Sequence, residues 1–146
     1  MACLIMMIGI SGCGKSTYAS RLNADVVSSD KIREELFGDE DIQSDAAKVF
    51  KIAHKRVADK LSKGEDVIFD ATNVTIFARK SILDFCKGIN CCKIGVIFLT
   101  KPEKAIEQQK NRIRQVPEEV IQRQYISLMK EIDGIASEFD QIVCVQ

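Results

Sequence analysis

The sequence lacks a net charge, a paired-cysteine motif and a long hydrophobic run, and each absence excludes a class of protein. The chain carries 21 Lys and Arg residues and 21 Asp and Glu residues in 146 positions. A protein that follows a long nucleic-acid backbone has a basic excess, so any contact with nucleic acid is expected to be short and local. No stretch approaches the roughly 20 apolar residues that a membrane-spanning helix requires, and we expect no association with a membrane.

Cysteine use indicates a reducing compartment. The chain has six cysteines, Cys3, Cys13, Cys86, Cys91, Cys92 and Cys144. None of them forms a C-x-x-C pair, so neither a zinc site nor a thioredoxin-type site is indicated, and four of the six lie in the apolar or strand-like surroundings typical of reduced thiols. The apolar run Ala2–Gly9 is too short for the apolar region of a signal peptide followed by a cleavage site. We therefore expect a cytoplasmic protein.

Strand-like apolar runs alternate with helical patterns along the whole chain. The predicted strands are Ala2–Ile8, Val26–Ser28, Asp66–Asp70, Cys91–Leu99 and Gln141–Val145. The predicted helices are Ser16–Leu22, Asp30–Phe37, a helix capped by Ser44 or Asp45 and ending at Lys63, Thr75–Lys87, one from Pro102 to a break near 115–117, and one from Pro117 to about Ile132; the acidic stretch Gly38–Ser44 is a predicted loop. This alternation predicts a three-layer α/β fold, a five-stranded parallel sheet with helices on both faces. With no linker or repeat, residues 1–146 are expected to form one complete domain.

A glycine-rich segment, GISGCGKST at residues 9–17, follows the first predicted strand and opens the next helix. It fits the pattern G-x-x-x-x-G-K-[ST], and in this strand–loop–helix context the pattern holds the phosphates of a nucleotide. Glycines let backbone N–H groups converge on the phosphates, Lys15 can reach the outer phosphates, and Ser16 can bind Mg²⁺. The predicted nucleotide-binding residues are Gly9, Ser11, Gly12, Cys13, Gly14, Lys15, Ser16 and Thr17. The expected fold is therefore that of the P-loop NTPases.

Asp70 ends the third apolar strand and has two interpretations. The loop after the first strand is expected to emerge beside it, at the carboxyl edge of the sheet. From there the carboxylate can help to hold Mg²⁺ opposite Ser16. The alternative is an aspartate that caps a turn at the end of a strand. We favour the metal-binding role because of the expected proximity of the loop.

The absence of several motifs excludes some classes of nucleotide-binding protein. A guanine-nucleotide switch protein needs N-K-x-D, which is absent, and D-x-x-G after the third strand, where this chain reads Asp70-Ala71-Thr72-Asn73. An oligomeric motor ATPase carries a longer core. A small phosphotransferase remains, and such an enzyme needs a base near the acceptor hydroxyl, donors for the transferring phosphoryl group and a lid that excludes water.

Two segments supply candidates for these roles. Asp30 and Arg33 lie at positions i and i+3 of a predicted helix start, on one side of it. Asp30 could accept the proton of the acceptor and Arg33 could hold an acceptor phosphate; the alternative for Asp30 is a helix N-cap. Arg112 and Arg114 lie just before the helix break at Pro117, which suits a hinged lid near 104–116. The alternative for these two arginines is a solvated, charged helix end.

Taken in this order, the motifs resemble the kinase domain of the polynucleotide 5′-hydroxyl kinases of phage and bacterial end repair, in the adenylate-kinase-like group of P-loop kinases. The resemblance covers nearly all of the chain and runs through GISGCGKST (9–17), SDKIR (29–33), DVIFDATN (66–73), RIRQVPEEVI (112–121) and EFDQIVCV (138–145). The phosphate loop alone is unspecific. The Asp-x-x-Arg, the D-A-T-N and the R-x-R-x-x-P-E-E-V-I are more specific.

The resemblance implies ATP as donor, Mg²⁺ as cofactor and a nucleic-acid 5′ end as acceptor. It implies that Asp30 is the general base on the 5′-hydroxyl and that Arg33 contacts the 3′-phosphate of the acceptor. It also implies that Arg112 or Arg114 engages the donor phosphates. It further implies that Thr72 and Asn73 line the acceptor side, with Arg79 nearby.

The sequence departs from this family at two points. Ala71 stands where viral relatives often carry an acidic residue, and the lid is shorter, so the choice between Arg112 and Arg114 stays open. The zero net charge and the acidic stretch Asp39–Asp41 weigh against a polynucleotide acceptor. Three uses of the nucleotide therefore stay open: transfer to a polynucleotide 5′-hydroxyl, transfer to a small hydroxyl compound such as a nucleoside or a sugar, and nucleotide binding without transfer. The single histidine, His54, is assigned no catalytic role.

Overall fold

The computed structural model describes residues 1–38 and 46–146. Its strands are β1 (Ala2–Ile8), β2 (Asp25–Ser28), β3 (Val67–Asp70), β4 (Cys91–Phe98) and β5 (Gln141–Val145). Its helices are α1 (Lys15–Ser20), α2 (Ser29–Phe37), α3 (Ala46–Ser62), α4 (Ile76–Phe85), α5 (Pro102–Gln109) and α6 (Glu118–Ile135), with a 3₁₀ turn at Ala136–Glu138. Strands and helices alternate as the sequence predicts.

The five strands form one parallel sheet in the order β2-β3-β1-β4-β5. β1 therefore lies between β3 and β4, and Leu4 is opposite both Val67 and Lys93. On the other side of β3, Ser28 at the end of β2 is opposite Asp70. Because the carboxyl ends of parallel strands share one edge, the segments that follow β1, β2 and β3 emerge side by side.

Burial of β1 on both faces explains its continuous apolar sequence. Leu4, Met6 and Ile8 belong to one hydrophobic core, and Ile5 and Met7 pack in a second core on the opposite face. Successive side chains of a strand point to opposite faces, so a strand covered on both faces is apolar throughout.

Helices cover both faces of the sheet. The buried side chains of α3, Val49, Ala53, Val57 and Leu61, pack in the first core, whereas Ala19 of α1 and Ala105 of α5 pack in the second. Helix α6 contributes to both, since Ile121 lies in the second core and Leu128 in the first. The predicted three-layer α/β fold with a five-stranded parallel sheet is confirmed.

Several predicted boundaries are wrong by a few residues. Helix α5 ends at Gln109, so the segment between α5 and α6 is narrower than the predicted lid near 104–116; residues 110–116 are called the lid segment below. Pro117 is the N-cap of α6, since its ψ of 142° is extended, and α6 continues to Ile135 instead of about Ile132. The prediction of a loop over Gly38–Ser44 and of a cap at Ser44 or Asp45 lies outside the described residues, apart from Gly38, whose φ of 72° ends α2.

In the described parts of the chain, no helix is both long enough and apolar enough to cross a membrane. The six cysteines are free thiols, as expected.

Candidate active site

The glycine-rich loop after β1 bends through two residues with left-handed backbone conformation. Gly12 has φ of 84° and Gly14 has φ of 99°, and residues with a Cβ rarely adopt such values. A Cβ on Gly12 would also lie 2.5 Å from the carbonyl oxygen of Ala105. The loop therefore needs glycine at position 12 both for its backbone conformation and for its close approach to α5.

Lys15 and Ser16 begin α1, directly after this loop. The side chain of Lys15 folds back over the loop, and its Nζ donates a hydrogen bond to the carbonyl oxygen of Ile10 at 2.8 Å. The Oγ of Ser16 donates to Oδ2 of Asp70 at 2.8 Å. A hydroxyl and a carboxylate oxygen are the ligand types that Mg²⁺ prefers, so this pair fits a magnesium site, and the predicted proximity of Ser16 and Asp70 is correct.

Burial changes the acidity of two groups at the site, one at the end of β3 and one in the loop. Burial raises the pKa of the Asp70 carboxyl; the hydrogen bond from Ser16 and the charge of Lys15 oppose this shift, and the nearby charge of Asp30 adds to it. Burial also raises the pKa of the Cys13 thiol, against the influence of Lys15. Cys13 is therefore a neutral thiol at pH 7, consistent with a packing role inside the loop.

Asp30 and Arg33 meet at the start of α2, next to Asp70. Nη1 of Arg33 donates to Oδ1 of Asp30 at 2.9 Å; the Arg33 side chain is 9% exposed and that of Asp30 is 55% exposed. The N-cap of α2 is Ser28, whose Oγ accepts from the backbone N–H of Lys31. The alternative interpretation of Asp30 as the helix cap is therefore wrong. Its carboxylate faces solvent at the carboxyl edge of the sheet.

The buried guanidinium of Arg33 is only partly satisfied by protein groups. Its central carbon lies 5.8 Å from the centroid of the Phe50 ring, a cation–π distance. Within the described parts of the chain its Nε is buried and has no hydrogen-bond partner. A buried donor of this kind is costly to leave unpaired.

The turn after β3 is fastened to the end of β1. The backbone N–H of Gly9 donates to the carbonyl oxygen of Thr72 at 2.9 Å, and Nδ2 of Asn73 donates to the carbonyl oxygen of Met7 at 2.8 Å. Asn73 has φ of 51° and is 2% exposed, whereas Thr72 is half-buried. The expectation that Asn73 lines the acceptor side does not match this position, because its amide lies in the interior and joins two strand ends.

Arg79 also differs from its expected position beside the acceptor. Its side chain is 0% exposed, and its guanidinium donates to Glu131 at 2.8 Å, to Glu138 at 2.9 Å and to the carbonyl oxygen of Asn73 at 3.0 Å. These contacts join α4 to α6 and to the 3₁₀ turn. With its donors directed at protein acceptors, Arg79 is a structural residue instead of a substrate-binding one.

The two lid arginines lie in the lid segment between α5 and α6. Arg112 is exposed and Arg114 is half-buried. The segment is thus placed as predicted, at a break between two helices whose other ends pack on the sheet.

The sequence also matches a known family model over residues 4–130, described as an AAA domain. The chain belongs to the AAA domain family. No curated protein sequence gives a significant match.

Solved structures resemble this AAA domain in fold. A chain in the structure of the Pnkp1/Rnl/Hen1 RNA repair complex matches with a TM-score of 0.80 and 20% identity, over 90% of this chain and 45% of that one. A gluconokinase from Sinorhizobium meliloti 1021 matches with a TM-score of 0.64 and 18% identity, over 97% of this chain and 80% of that one. A deoxyadenosine kinase from M. mycoides matches with a TM-score of 0.57 and 16% identity, over 98% of this chain and 89% of that one.

These likenesses show that the AAA domain shares its fold with these solved structures. The chain spans less than half the length of the RNA repair chain that it matches.

Sequence reasoning missed three glutamines of the lid helices, two that contact the phosphate loop and one that contacts the lid segment. Nε2 of Gln108 donates to the carbonyl oxygen of Gly12 at 2.6 Å, and Oε1 of Gln124 accepts from the backbone N–H of Ser11 at 2.8 Å. Gln109 is 2% exposed and pairs with the backbone of Val116. Gln109 carries a detectable signal, because it follows Pro102 and Ala105 at positions i, i+3 and i+7 of the buried helix face, where a polar side chain is unusual.

We predict that Arg79→Met lowers the free energy of unfolding by about 3 kcal/mol, because removing one partner of a buried ion pair leaves the other charges uncompensated. Urea denaturation measures this loss. Arg56→Met is the matched control: its pair with Glu35 at 2.7 Å is exposed, so solvent screens it and the loss is much smaller. An Arg79→Met protein of normal stability with a weakened acceptor affinity would restore the substrate-binding role.

Proposed function

We propose that this protein is an ATP- and Mg²⁺-dependent kinase that transfers the γ-phosphoryl group to the 5′-hydroxyl of a polynucleotide or of a 3′-phosphonucleoside. The observation that carries the proposal is the Asp30–Arg33 pair, which lies beside Asp70 and the phosphate loop on one sheet edge. A carboxylate next to a phosphate-binding loop is what a hydroxyl acceptor requires.

On the donor side, the loop binds the phosphates of ATP. Backbone N–H groups between Gly12 and Thr17 and the N-terminus of α1 supply partial positive charge, and Lys15 turns from the Ile10 carbonyl oxygen to the outer phosphates. Ser16 and Asp70 would hold Mg²⁺, which would neutralise negative charge on the phosphates of ATP.

On the acceptor side, Asp30 accepts the proton of the attacking hydroxyl. The hydroxyl oxygen bonds to the γ-phosphorus, the bond to the β–γ bridging oxygen breaks, and ADP leaves with that oxygen. Arg33 orients the Asp30 carboxylate through its Nη1. The charge of its guanidinium beside Asp30 suits a phosphate at the acceptor's 3′ position.

The lid arginines complete the proposed site. Arg112 or Arg114 engages the donor phosphates when the lid segment approaches the loop, as an arginine does in other phosphoryl transfers. Thr72, half-buried beside Gly9, borders the acceptor side.

A small hydroxyl compound is the second candidate acceptor. The observation in its favour is the formal net charge of +0, because a polynucleotide attracts a basic surface. A gluconokinase and a deoxyadenosine kinase also share this fold, so the fold is compatible with a small acceptor.

The acceptor is tested with γ-labelled ATP and Mg²⁺ against a 5′-hydroxyl oligonucleotide, a 3′-phosphorylated mononucleoside, gluconate, deoxyadenosine and water. Labelling of the oligonucleotide and of the 3′-phosphorylated mononucleoside is expected, because each offers a 3′-phosphate to Arg33. Labelling confined to gluconate or deoxyadenosine would favour the small-molecule alternative. ATP binding without labelling of any acceptor would contradict the kinase proposal.

Asp30→Asn is expected to lower kcat about 100-fold or more, because the amide cannot accept the hydroxyl proton. The dissociation constant for ATP should stay unchanged, since the proposal places Asp30 on the acceptor side. Steady-state transfer rates and titration calorimetry measure the two quantities. Asp133→Asn, an exposed change on α6, is the matched control, and an Asp30→Asn enzyme as active as that control would exclude the base.

Gly12→Ala is expected to weaken ATP binding at least about tenfold, because its Cβ would meet the Ala105 carbonyl oxygen and move the loop. Gly64→Ala is the control: its φ of 78° is equally left-handed, but nothing lies within 4 Å of the added Cβ. That control should lose about 1 kcal/mol of stability and keep its affinity for ATP. Equal ATP affinities in the two variants, measured by calorimetry, would show that ATP binding does not depend on the position of the loop.

A further inference from the structure

Gln109 is a polar residue on the buried face of α5. Together with Pro102 and Ala105 it forms the side of the helix that is turned inward, and it is 2% exposed. Burial of an amide is unfavourable unless both its donor and its acceptor are paired. The position of Gln109 therefore depends on the partners that the fold supplies.

Those partners belong to one residue at the far end of the lid segment. Nε2 of Gln109 donates to the carbonyl oxygen of Val116 at 2.8 Å, and Oε1 of Gln109 accepts from the backbone N–H of Val116 at 3.0 Å. The side-chain amide of Gln109 thus exchanges two hydrogen bonds with the backbone of Val116, as a hydrogen-bonded residue pair does in an antiparallel sheet. The pairing joins the last residue of α5 to the residue just before Pro117, and closes the lid segment into a loop.

Inside that closed loop, further hydrogen bonds limit its freedom. The backbone N–H of Arg112 donates to the carbonyl oxygen of Gln109 at 2.9 Å, and Nε2 of Gln115 donates to the carbonyl oxygen of Lys110 at 2.8 Å. The lid segment is therefore a small hydrogen-bonded unit. Both of its arginines lie between Gln109 and Val116 in the sequence.

The base of this unit is connected to the phosphate loop. Gln108, the neighbour of Gln109 on α5, donates to Gly12, and Gln124 on α6 accepts from Ser11. Both helices that carry the lid segment thus contact the loop through a polar side chain. These contacts, together with the Gln109–Val116 pairing, tie the lid segment to the phosphate loop.

We propose that Gln109 is a positioning residue that holds Arg112 and Arg114 in place for phosphoryl transfer; this inference rests on the proposed kinase function. Gln109 acts through the closed shape of the lid segment and touches no phosphate itself. Its loss should therefore lower kcat and leave ATP binding intact, because the phosphate loop keeps its own contacts.

The test compares Gln109→Met, which keeps the length of the side chain but removes both hydrogen bonds, with Gln109→Glu, which keeps only the acceptor for the Val116 N–H at neutral pH. Gln122→Met, an exposed position on α6, is the matched control. The first readout is limited trypsin cleavage after Lys110, Arg112 and Arg114, relative to cleavage after Arg123 and Lys130 of α6. This readout needs no substrate.

We expect Gln109→Met to raise lid cleavage selectively by about tenfold, because local opening becomes easier when two buried hydrogen bonds are removed. Gln109→Glu should lie between wild type and Gln109→Met. Unchanged cleavage would overturn the inference. An equal rise at the lid bonds and at the α6 bonds would also overturn it, since that result means general destabilisation.

The second readout is the rate of ADP formation, with a 5′-hydroxyl oligonucleotide and with water as acceptors. Gln109→Met should lower kcat at least about tenfold and change the KM for ATP by less than about twofold. Selective lid cleavage with an unchanged kcat would overturn the positioning role. If wild-type protein labels no oligonucleotide, the proposed acceptor is wrong. The role of Gln109 is then decided separately, by lid cleavage and by the rate of ADP formation with water as the acceptor.

Discussion

The junction between β1 and β3 at the carboxyl edge of the sheet supports every part of the candidate site. Three hydrogen bonds cross it, from Gly9 to Thr72, from Asn73 to Met7 and from Ser16 to Asp70. They fix where the phosphate loop begins, where the turn after β3 runs and where the predicted metal ligands meet. Because β1 is buried on both faces, this junction cannot shift without disturbing two hydrophobic cores.

Donor and acceptor groups reach that junction from different elements. The loop and α1 bring the phosphate-binding groups, and α2 brings Asp30 and Arg33. The apolar surroundings of Arg33 continue into α3, where His54 packs against the rings of Phe69 and Phe85. Burial lowers the pKa of His54, and its neutral ring in an aromatic cluster agrees with a packing role.

Much of this arrangement is predictable from local patterns. The alternation of strands and helices predicts the three-layer fold, and the spacing of Asp30 and Arg33 predicts their contact, because residues i and i+3 of a helix are neighbours. Helix ends are less predictable: α5 stops at Gln109 and α6 begins after Pro117. The buried positions of Asn73 and Arg79 do not match the acceptor-side roles expected for them. The sequence near a motif does not indicate whether a polar side chain faces a ligand or the interior.

The sequence by itself determined the phosphate loop, since the pattern of glycines, Lys15 and Ser16 expresses local backbone and charge requirements. It also determined the class of fold, because strand and helix periodicity is local. Only the tertiary structure decided which buried polar groups pair with each other. The contacts of Gln109 with Val116, of Gln124 with Ser11 and of Arg79 with Glu131 join separate elements. Their existence depends on how helices pack around the sheet, and no local pattern contains that information.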